Sequence, residues 1–347
     1  MSAQWRFGII GVGMWGRVHL ENVRESGRGE VTWVFSRTAE TVNAVKEEYG
    51  VPRATQDYRE MLEAEDVDAV IIATPPHTHA DICVDALHAG KHVLLEKPMA
   101  ADLEDAERIV REAGRHPDLV VLEASARFTR LGAKYAFVRR MIEDGKLGRP
   151  YFVHHVQLKP TTYTEYNPKA GWAEDRSKAG GGPMFDWSGY DFSFHLGVLG
   201  DTHELKEVRT FSVNGLRPDI GPGGPDEVEQ HAAALLEFDG GLQYYYERGG
   251  GAYGEVESNT RIHGTRGGIR FDYLPWGSNT IEWYSENDEG KVVRRKLSVD
   301  TAGHPDDPNT ELVAHFVDCL EGEADPAVSV GLAYRHMQMV WRILRSP

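Results

Sequence analysis

A short apolar run, Trp5-Arg6-Phe7-Gly8-Ile9-Ile10, leads directly into Gly11-Val12-Gly13-Met14-Trp15-Gly16, and helical spacing then runs from Met14 to Ser26 and stops near Gly27. Few arrangements limit a fold as much as strand, glycine turn, helix. The first glycine allows a sharp turn, the second lets a phosphate approach the backbone, and the third lets the helix pack closely on the strand. The free N–H groups at the helix start then face a pyrophosphate. Gly11, Gly13, Met14, Trp15 and Gly16 are therefore candidate contacts to a dinucleotide.

The pattern continues as strict alternation. Val31-Thr32-Trp33-Val34-Phe35 reads as a strand, Ala39 to Tyr49 as a helix, Asp68-Ala69-Val70-Ile71-Ile72-Ala73 as a strand buried on both faces, and His79 to Ala89 as a helix. His92-Val93-Leu94-Leu95 and Leu119-Val120-Val121-Leu122 flank a helix from Leu103 to Ala113. Alternation of this kind predicts an α/β, doubly wound parallel sheet of the Rossmann type. From about residue 128 the apolar runs give way to alternating segments such as Tyr151 to Val156, Ala232 to Phe238, Leu242 to Tyr246, Ile269 to Tyr273 and Thr280 to Tyr284. These predict a large, mostly antiparallel sheet with one covered face, closed by helices at Thr310 to Leu320 and Val330 to Leu344. At 347 residues the chain is long enough for two domains, placed at 1–127 and 128–347. The Gly/Pro-rich stretch from Arg217 to Pro225 reads as an irregular loop.

Composition narrows the partners. A formal charge of -16 leaves no basic stripe for nucleic acid, and no apolar run is long enough to span a bilayer, so the expectation is a cytoplasmic protein. Cys83 and Cys319 lie in amphipathic helical patterns and read as small buried side chains. The histidines show no pairing with a second ligand cluster, so no metal site is expected.

An acidic protein binds a phosphorylated cofactor through local groups. The second strand ends Phe35-Ser36-Arg37-Thr38, where NAD-binding proteins usually carry an acidic residue against the adenosine ribose. Ser36 and Thr38 can instead donate hydrogen bonds, and Arg37 can stack on adenine or pair with a 2′-phosphate. That favours NADP(H), with NAD(H) as the other possibility. Glu96-Lys97-Pro98 follows a buried strand, at the sheet edge where open α/β sheets bind ligands.

Gly8-Ile9-Ile10-Gly11-Val12-Gly13, Ala73-Thr74-Pro75-Pro76-His77-Thr78-His79, Gly90 to Pro98 and Gly180-Gly181-Gly182-Pro183-Met184-Phe185-Asp186 together resemble the glucose-fructose oxidoreductase/inositol dehydrogenase/MocA-type family. The resemblance spans nearly the whole chain. It implies a Rossmann domain followed by an α/β domain with a large sheet that builds homodimers or homotetramers. It also implies that Lys97 contacts both the nicotinamide ribose and the reacting oxygen, and it allows a cis Lys97-Pro98 peptide. Thr74, Pro75, His79, Glu96, Arg127 and Trp172 fall at positions that face the cofactor in that family.

One departure stands out. The family pattern Asp-x-x-x-His is here Asp186-Trp187-Ser188-Gly189-Tyr190, and aligning His195 instead would need a gap. Sugar oxidoreductases of the family carry tyrosine at this position. Asp186 and Tyr190 share a helical face at i, i+4. Lys97 and Tyr190 are thus expected to share acid/base work, with Asp186 orienting. His154, His155 and Gln157 alternate on a predicted strand, so one of its faces is a further candidate for lining the substrate cleft, with Lys159 on that same side. The expected function is an NADP(H)-dependent oxidoreductase acting on a sugar, cyclic polyol or sugar derivative. An NAD-dependent glycosidase and a non-catalytic NADP(H) sensor are the alternatives.

Overall fold

The computed structural model describes residues 4–214, 228–253, 258–305 and 307–345. The stretch 217–225 lies outside them. The chain divides into two compact units, Met1–Arg127 with Pro305–Tyr334, and Phe128–His304 with Arg335–Pro347.

In the first unit, β1 (Trp5–Ile10), α1 (Met14–Ser26), β2 (Gly29–Phe35), α2 (Ala39–Tyr49), β3 (Arg53–Thr55), α3 (Tyr58–Leu62), β4 (Ala69–Ile72), α4 (His79–His88), β5 (His92–Leu95), α5 (Leu103–Arg115) and β6 (Val121–Glu123) alternate as expected. The six strands are all parallel, in the order β3-β2-β1-β4-β5-β6. Ala69, Val70, Ile71 and Ile72 are completely buried, the result of covering a parallel sheet on both faces. Because β1, β4 and β5 are adjacent and parallel, the loops after them emerge side by side at the carboxyl edge, and the order reverses between β1 and β4.

The first unit takes in residues 305–334 as well as those up to 127. The cause is α10 (Pro308–Leu320), which packs on α1. Asp318 pairs with Arg28, which also reaches Glu321 at 2.7 Å, and the Phe316 and Phe7 rings lie 6.2 Å apart. Beyond α10, the Glu123 N–H donates to the Val328 carbonyl at 3.1 Å, which lays residues 328–329 beside β6.

The second unit contains α6 (Ala133–Glu143), β7 (Pro150–Lys159), two single-turn helices α7 (Tyr163–Tyr166) and α8 (Arg176–Ala179), and α9 (Pro183–Val198). Then follow β8 (Leu205–Val213), β9 (His231–Phe238), β10 (Gln243–Gly250), β11 (Asn259–Gly264), β12 (Gly267–Phe271), β13 (Thr280–Glu286) and β14 (Val292–Ser298). Its eight-stranded sheet has the order β14-β13-β12-β11-β7-β10-β9-β8, antiparallel except where β7 and β10 run parallel. α9 lies on the inner face and is buried all round from Tyr190 to Val198, so it shows no polar stripe. The outer face carries Phe211, Leu235, His154 and Tyr245, with His154 stacked on Tyr245 at 5.1 Å. The closing helix, α11 (Val330–Arg345), has a Trp341 ring 5.9 Å from Phe185.

Cys83 and Cys319 are both buried and both free. No helix among the described residues is long and apolar enough to cross a membrane.

Candidate active site

The candidate residues fall on both units. In the first, Gly11 holds φ +98°, and a Cβ on Gly16 would meet the Gly11 carbonyl oxygen at 2.0 Å. The turn and the helix packing thus account for two glycines by internal sterics. Gly13 is different: beyond its two chain neighbours no described atom lies within 4 Å of where its Cβ would be, so none of the described residues requires a glycine there by crowding. It is also the N-cap of α1 and supplies no side-chain cap. A pyrophosphate approaching from outside fits both facts, since it needs that space and can accept from the uncapped N–H groups. Met14 is exposed beside this turn, and Trp15 is held from behind by the Arg127 guanidinium, 4.1 Å from its ring centroid.

The neighbouring loops support this surface. Ser36 accounts for its own N–H by donating to the Thr55 carbonyl, and Thr38 starts α2 with its hydroxyl 2.8 Å from that of Thr41. Arg37 is exposed and forms no ion pair among the described residues. After β4, the Thr78 hydroxyl donates to the Thr74 hydroxyl at 2.7 Å, and Pro75 precedes a short 3-10 turn. His79 is fully buried. Its ring nitrogens lie 2.7 Å from the Thr74 carbonyl and 3.1 Å from the Pro98 carbonyl, so it braces two loops. Burial keeps its pKa below the ordinary value.

Lys97 follows β5 at the same edge, and the Lys97-Pro98 peptide is cis. Glu96, next to it, is almost wholly buried. Its carboxylate accepts from His19 at 2.7 Å, from both terminal nitrogens of Arg127, and from the Lys97 N–H at 3.0 Å. Burial alone would raise the Glu96 pKa, but Arg127 and His19 hold it well below the usual carboxylate range. An ionised Glu96 therefore fixes α1, the β5 loop and Arg127 to one point. Nearby Glu123, also buried, is pushed up to about 7 by burial, against hydrogen bonds from the Ser125 hydroxyl and N–H.

In the second unit, α9 opens at Gly182 with Pro183 at its first turn, and Asp186 lies in that turn, where the helix dipole favours a carboxylate. Tyr190, one turn on, is buried, with its ring 5.0 Å from Phe128 and 5.3 Å from Trp187. The cap comes from far along the chain. The Glu229 carboxylate accepts from the N–H groups of Gly182 at 2.7 Å and Phe185 at 3.1 Å. A Cβ at Gly182 would lie 1.8 Å from the Glu229 carbonyl oxygen, which explains why the run before α9 must be glycine.

Beneath Tyr190 is a polar network that sequence reasoning missed. Asp191 is fully buried and accepts from Arg248 Nε at 2.7 Å and Nη2 at 2.6 Å, and from the hydroxyls of Tyr246 and Tyr273, each at 2.7 Å. His155 Nε2 lies 3.2 Å from the same carboxylate. Burial would raise the Asp191 pKa, but Arg248 and His155 outweigh it and keep it well below the ordinary value. His195 lies deeper, its nitrogens 2.7 Å from the Tyr244 hydroxyl and 3.0 Å from the Thr260 hydroxyl. Burial keeps its pKa low. His155 and Gln157 thus face the core of this unit, and His154 faces the outer side of the sheet. Lys159, at the end of β7, places its ammonium 4.6 Å from the Trp187 ring centroid. Trp172 stands in the short-helix segment, 6.1 Å from the Tyr163 ring.

Among the described residues, two groups bring histidine and carboxylate donors within 4.8 Å of one another: His88, Glu112 and His116, and His155, Asp191 and His195. In each an arginine already engages the carboxylate, Arg115 at 3.0 Å and Arg248 at 2.6 Å.

Comparison with known proteins places this geometry. The model of the oxidoreductase family with NAD-binding Rossmann fold matches residues 5–123, and that of the GFO/IDH/MocA C-terminal domain matches residues 135–270. A 1,5-anhydro-D-fructose reductase of Ensifer adhaerens is 26% identical over 93% of this chain and 90% of its own length. A myo-inositol 2-dehydrogenase of Thermotoga maritima is 24% identical over 77% of this chain and 75% of its own. A levoglucosan dehydrogenase solved with NADH and levoglucosan shares the fold, with a TM-score of 0.84 at 20% identity, covering 99% of this chain and 97% of that one. The chain belongs to the Gfo/Idh/MocA oxidoreductase family, with an NAD-binding Rossmann unit followed by that family's C-terminal domain.

Proposed function

We propose that this protein transfers a hydride between a nicotinamide dinucleotide and a hydroxyl or keto carbon of a sugar, cyclic polyol or sugar derivative. The observation that carries the reading is the placement of Lys97 at the carboxyl edge of the Rossmann sheet, on a loop pinned by the Glu96, His19 and Arg127 network. Relatives named for dehydrogenating an inositol and for reducing an anhydrofructose support the substrate class.

When bound, the nicotinamide supplies or accepts the hydride. The Lys97 ammonium stabilises negative charge on the substrate oxygen, and Tyr190 gives or takes the proton. A free phenol, with a pKa near ~10, is a poor base at neutral pH, so it needs a cation to favour its ionised form. Asp186, at the start of α9, orients a substrate hydroxyl. The test is a panel of sugars, inositols and keto-sugars followed by nicotinamide absorbance with each of the four cofactor forms. Turnover of a cyclic substrate is expected, and absence of any absorbance change across the panel overturns the reading.

NADP(H) is the proposed partner because Ser36 and the exposed Arg37 stand where a carboxylate would repel a 2′-phosphate. Arg37→Ala is expected to raise the KM for NADPH about tenfold or more and that for NADH less than about twofold. A wild-type preference for NADH contradicts this. The outer face of the second sheet, with Phe211 and Leu235 exposed, is proposed to join two copies of the chain. Sedimentation should show a dimer that Phe211→Glu with Leu235→Glu converts to monomer, and a monomeric wild type rules it out.

A further inference from the structure

The second unit holds a cluster of four aromatic rings, of which one is mostly open to solvent. Phe128, Trp187 and Tyr190 pack together, and Trp276 completes the group from the loop between β12 and β13. Its ring stands nearly perpendicular to Phe128, at 5.3 Å and 82°, and to Trp187, at 6.3 Å and 84°. Yet Trp276 is 60% exposed.

The loop that presents it is held firmly. The buried Lys134 ammonium donates to three carbonyls of this one loop, Asp272 at 3.2 Å, Leu274 at 2.5 Å and Gly277 at 3.2 Å. The Asp272 carboxylate turns back to accept from the Leu274 N–H at 3.0 Å and the Ser258 hydroxyl at 3.1 Å. A lysine buried to anchor three carbonyls fixes the direction of whatever the loop carries, and what it carries is an open indole.

The charges around the cluster select what that indole can meet. Lys159 Nζ lies 4.6 Å from the Trp187 ring centroid, so a cationic ligand would meet a positive group there. Asp186, the neighbour of Trp187 at the start of α9, offers a carboxylate, and Tyr190, one turn on, packs its ring on Trp187 at 5.3 Å. An aromatic face beside hydroxyl-binding groups suits a ring that is polar at its rim and apolar on its face.

We propose that Trp276 is a substrate-stacking platform that selects closed six-membered rings, a pyranose or a cyclitol presenting a face of C–H bonds, over open-chain polyols. This rests on the sugar or polyol oxidoreductase reading above and specifies the substrate class within it. An open-chain alditol offers the same hydroxyls but no persistent apolar face, so it gains little from the indole.

Trp276→Ala and Trp276→Phe separate the two ideas. With myo-inositol and D-glucose as cyclic probes, Trp276→Ala is expected to raise KM about tenfold or more with a much smaller change in kcat, and Trp276→Phe to recover part of the loss. KM for the cofactor should not move, and KM for sorbitol should change less than about twofold. Cyclic-substrate KM left at the wild-type value in both variants overturns the platform while leaving the oxidoreductase reading intact. A wild type that turns over no member of the panel overturns that reading, and tryptophan fluorescence then decides the platform. Quenching by myo-inositol in the wild type but not in Trp276→Phe supports it, and no quenching in the wild type refutes it.

Discussion

Lys97→Met is expected to lower kcat about 1,000-fold or more while leaving cofactor affinity within a few-fold, because it removes the positive charge from the oxygen on which charge develops and keeps the side-chain volume. The methionine leaves the Lys97 backbone N–H in place to donate to Glu96, so the Glu96, His19 and Arg127 network stays assembled. Tyr190→Phe should cost less, about 100-fold, because the ring keeps its packing against Phe128 and Trp187 and only the proton donor is lost. If the two residues act as a unit, the double variant falls little below Lys97→Met alone. Steady-state kinetics with fluorescence titration of the cofactor checks all three. Full turnover in either single variant removes that residue from the proposed chemistry.

The second large effect is on stability. Asp191→Ala leaves the Arg248 guanidinium buried without its carboxylate and takes an acceptor from the Tyr246 and Tyr273 hydroxyls. Breaking one side of a buried ion pair costs roughly 3–5 kcal/mol, which is a large share of a domain's net stability. Replacing both partners, Asp191→Leu with Arg248→Met, should cost much less, because no charge is then stranded. Because Asp191 directly follows Tyr190, the single variant should also lower turnover at temperatures where it remains folded. Urea unfolding of the three proteins is the check. A single variant with unchanged midpoint, or a double variant worse than the single one, contradicts the role given to this pair.

The contrast between these two predictions shows what was legible in the sequence. Gly11 to Gly16, the Glu96-Lys97-Pro98 segment and the start of α9 are local patterns, read from neighbours in the chain, and the parallel sheet follows from continuous apolar strands. The Asp191 network is not local. It joins α9 to β7, β10 and the loop after β12, so Arg248, His155 and Tyr273 gain their meaning only after the sheet forms. Glu229 is hidden for the same reason, capping Gly182 from 47 residues away. Which face of β7 is covered was not legible, because alternation separates His154 from His155 and Gln157 but does not say which polar face is buried. The edge strands β8 and β14 passed unnoticed, as their charged residues blur the alternation that marks an interior strand. The return of residues 305–334 to the first unit depends on Arg28 meeting Asp318 and Glu321, a pairing between chain ends that periodicity cannot report.

The central claim is that hydride passes between nicotinamide and a substrate carbon, and isotope transfer tests it most directly. Protein given a keto-sugar and NADPH deuterated at the transferable position should yield a product with one deuterium on the new carbinol carbon. Lys97→Met protein should yield almost none over the same time. Product that forms by hydrolysis with NADPH unconsumed, or carbinol without deuterium, would contradict the account.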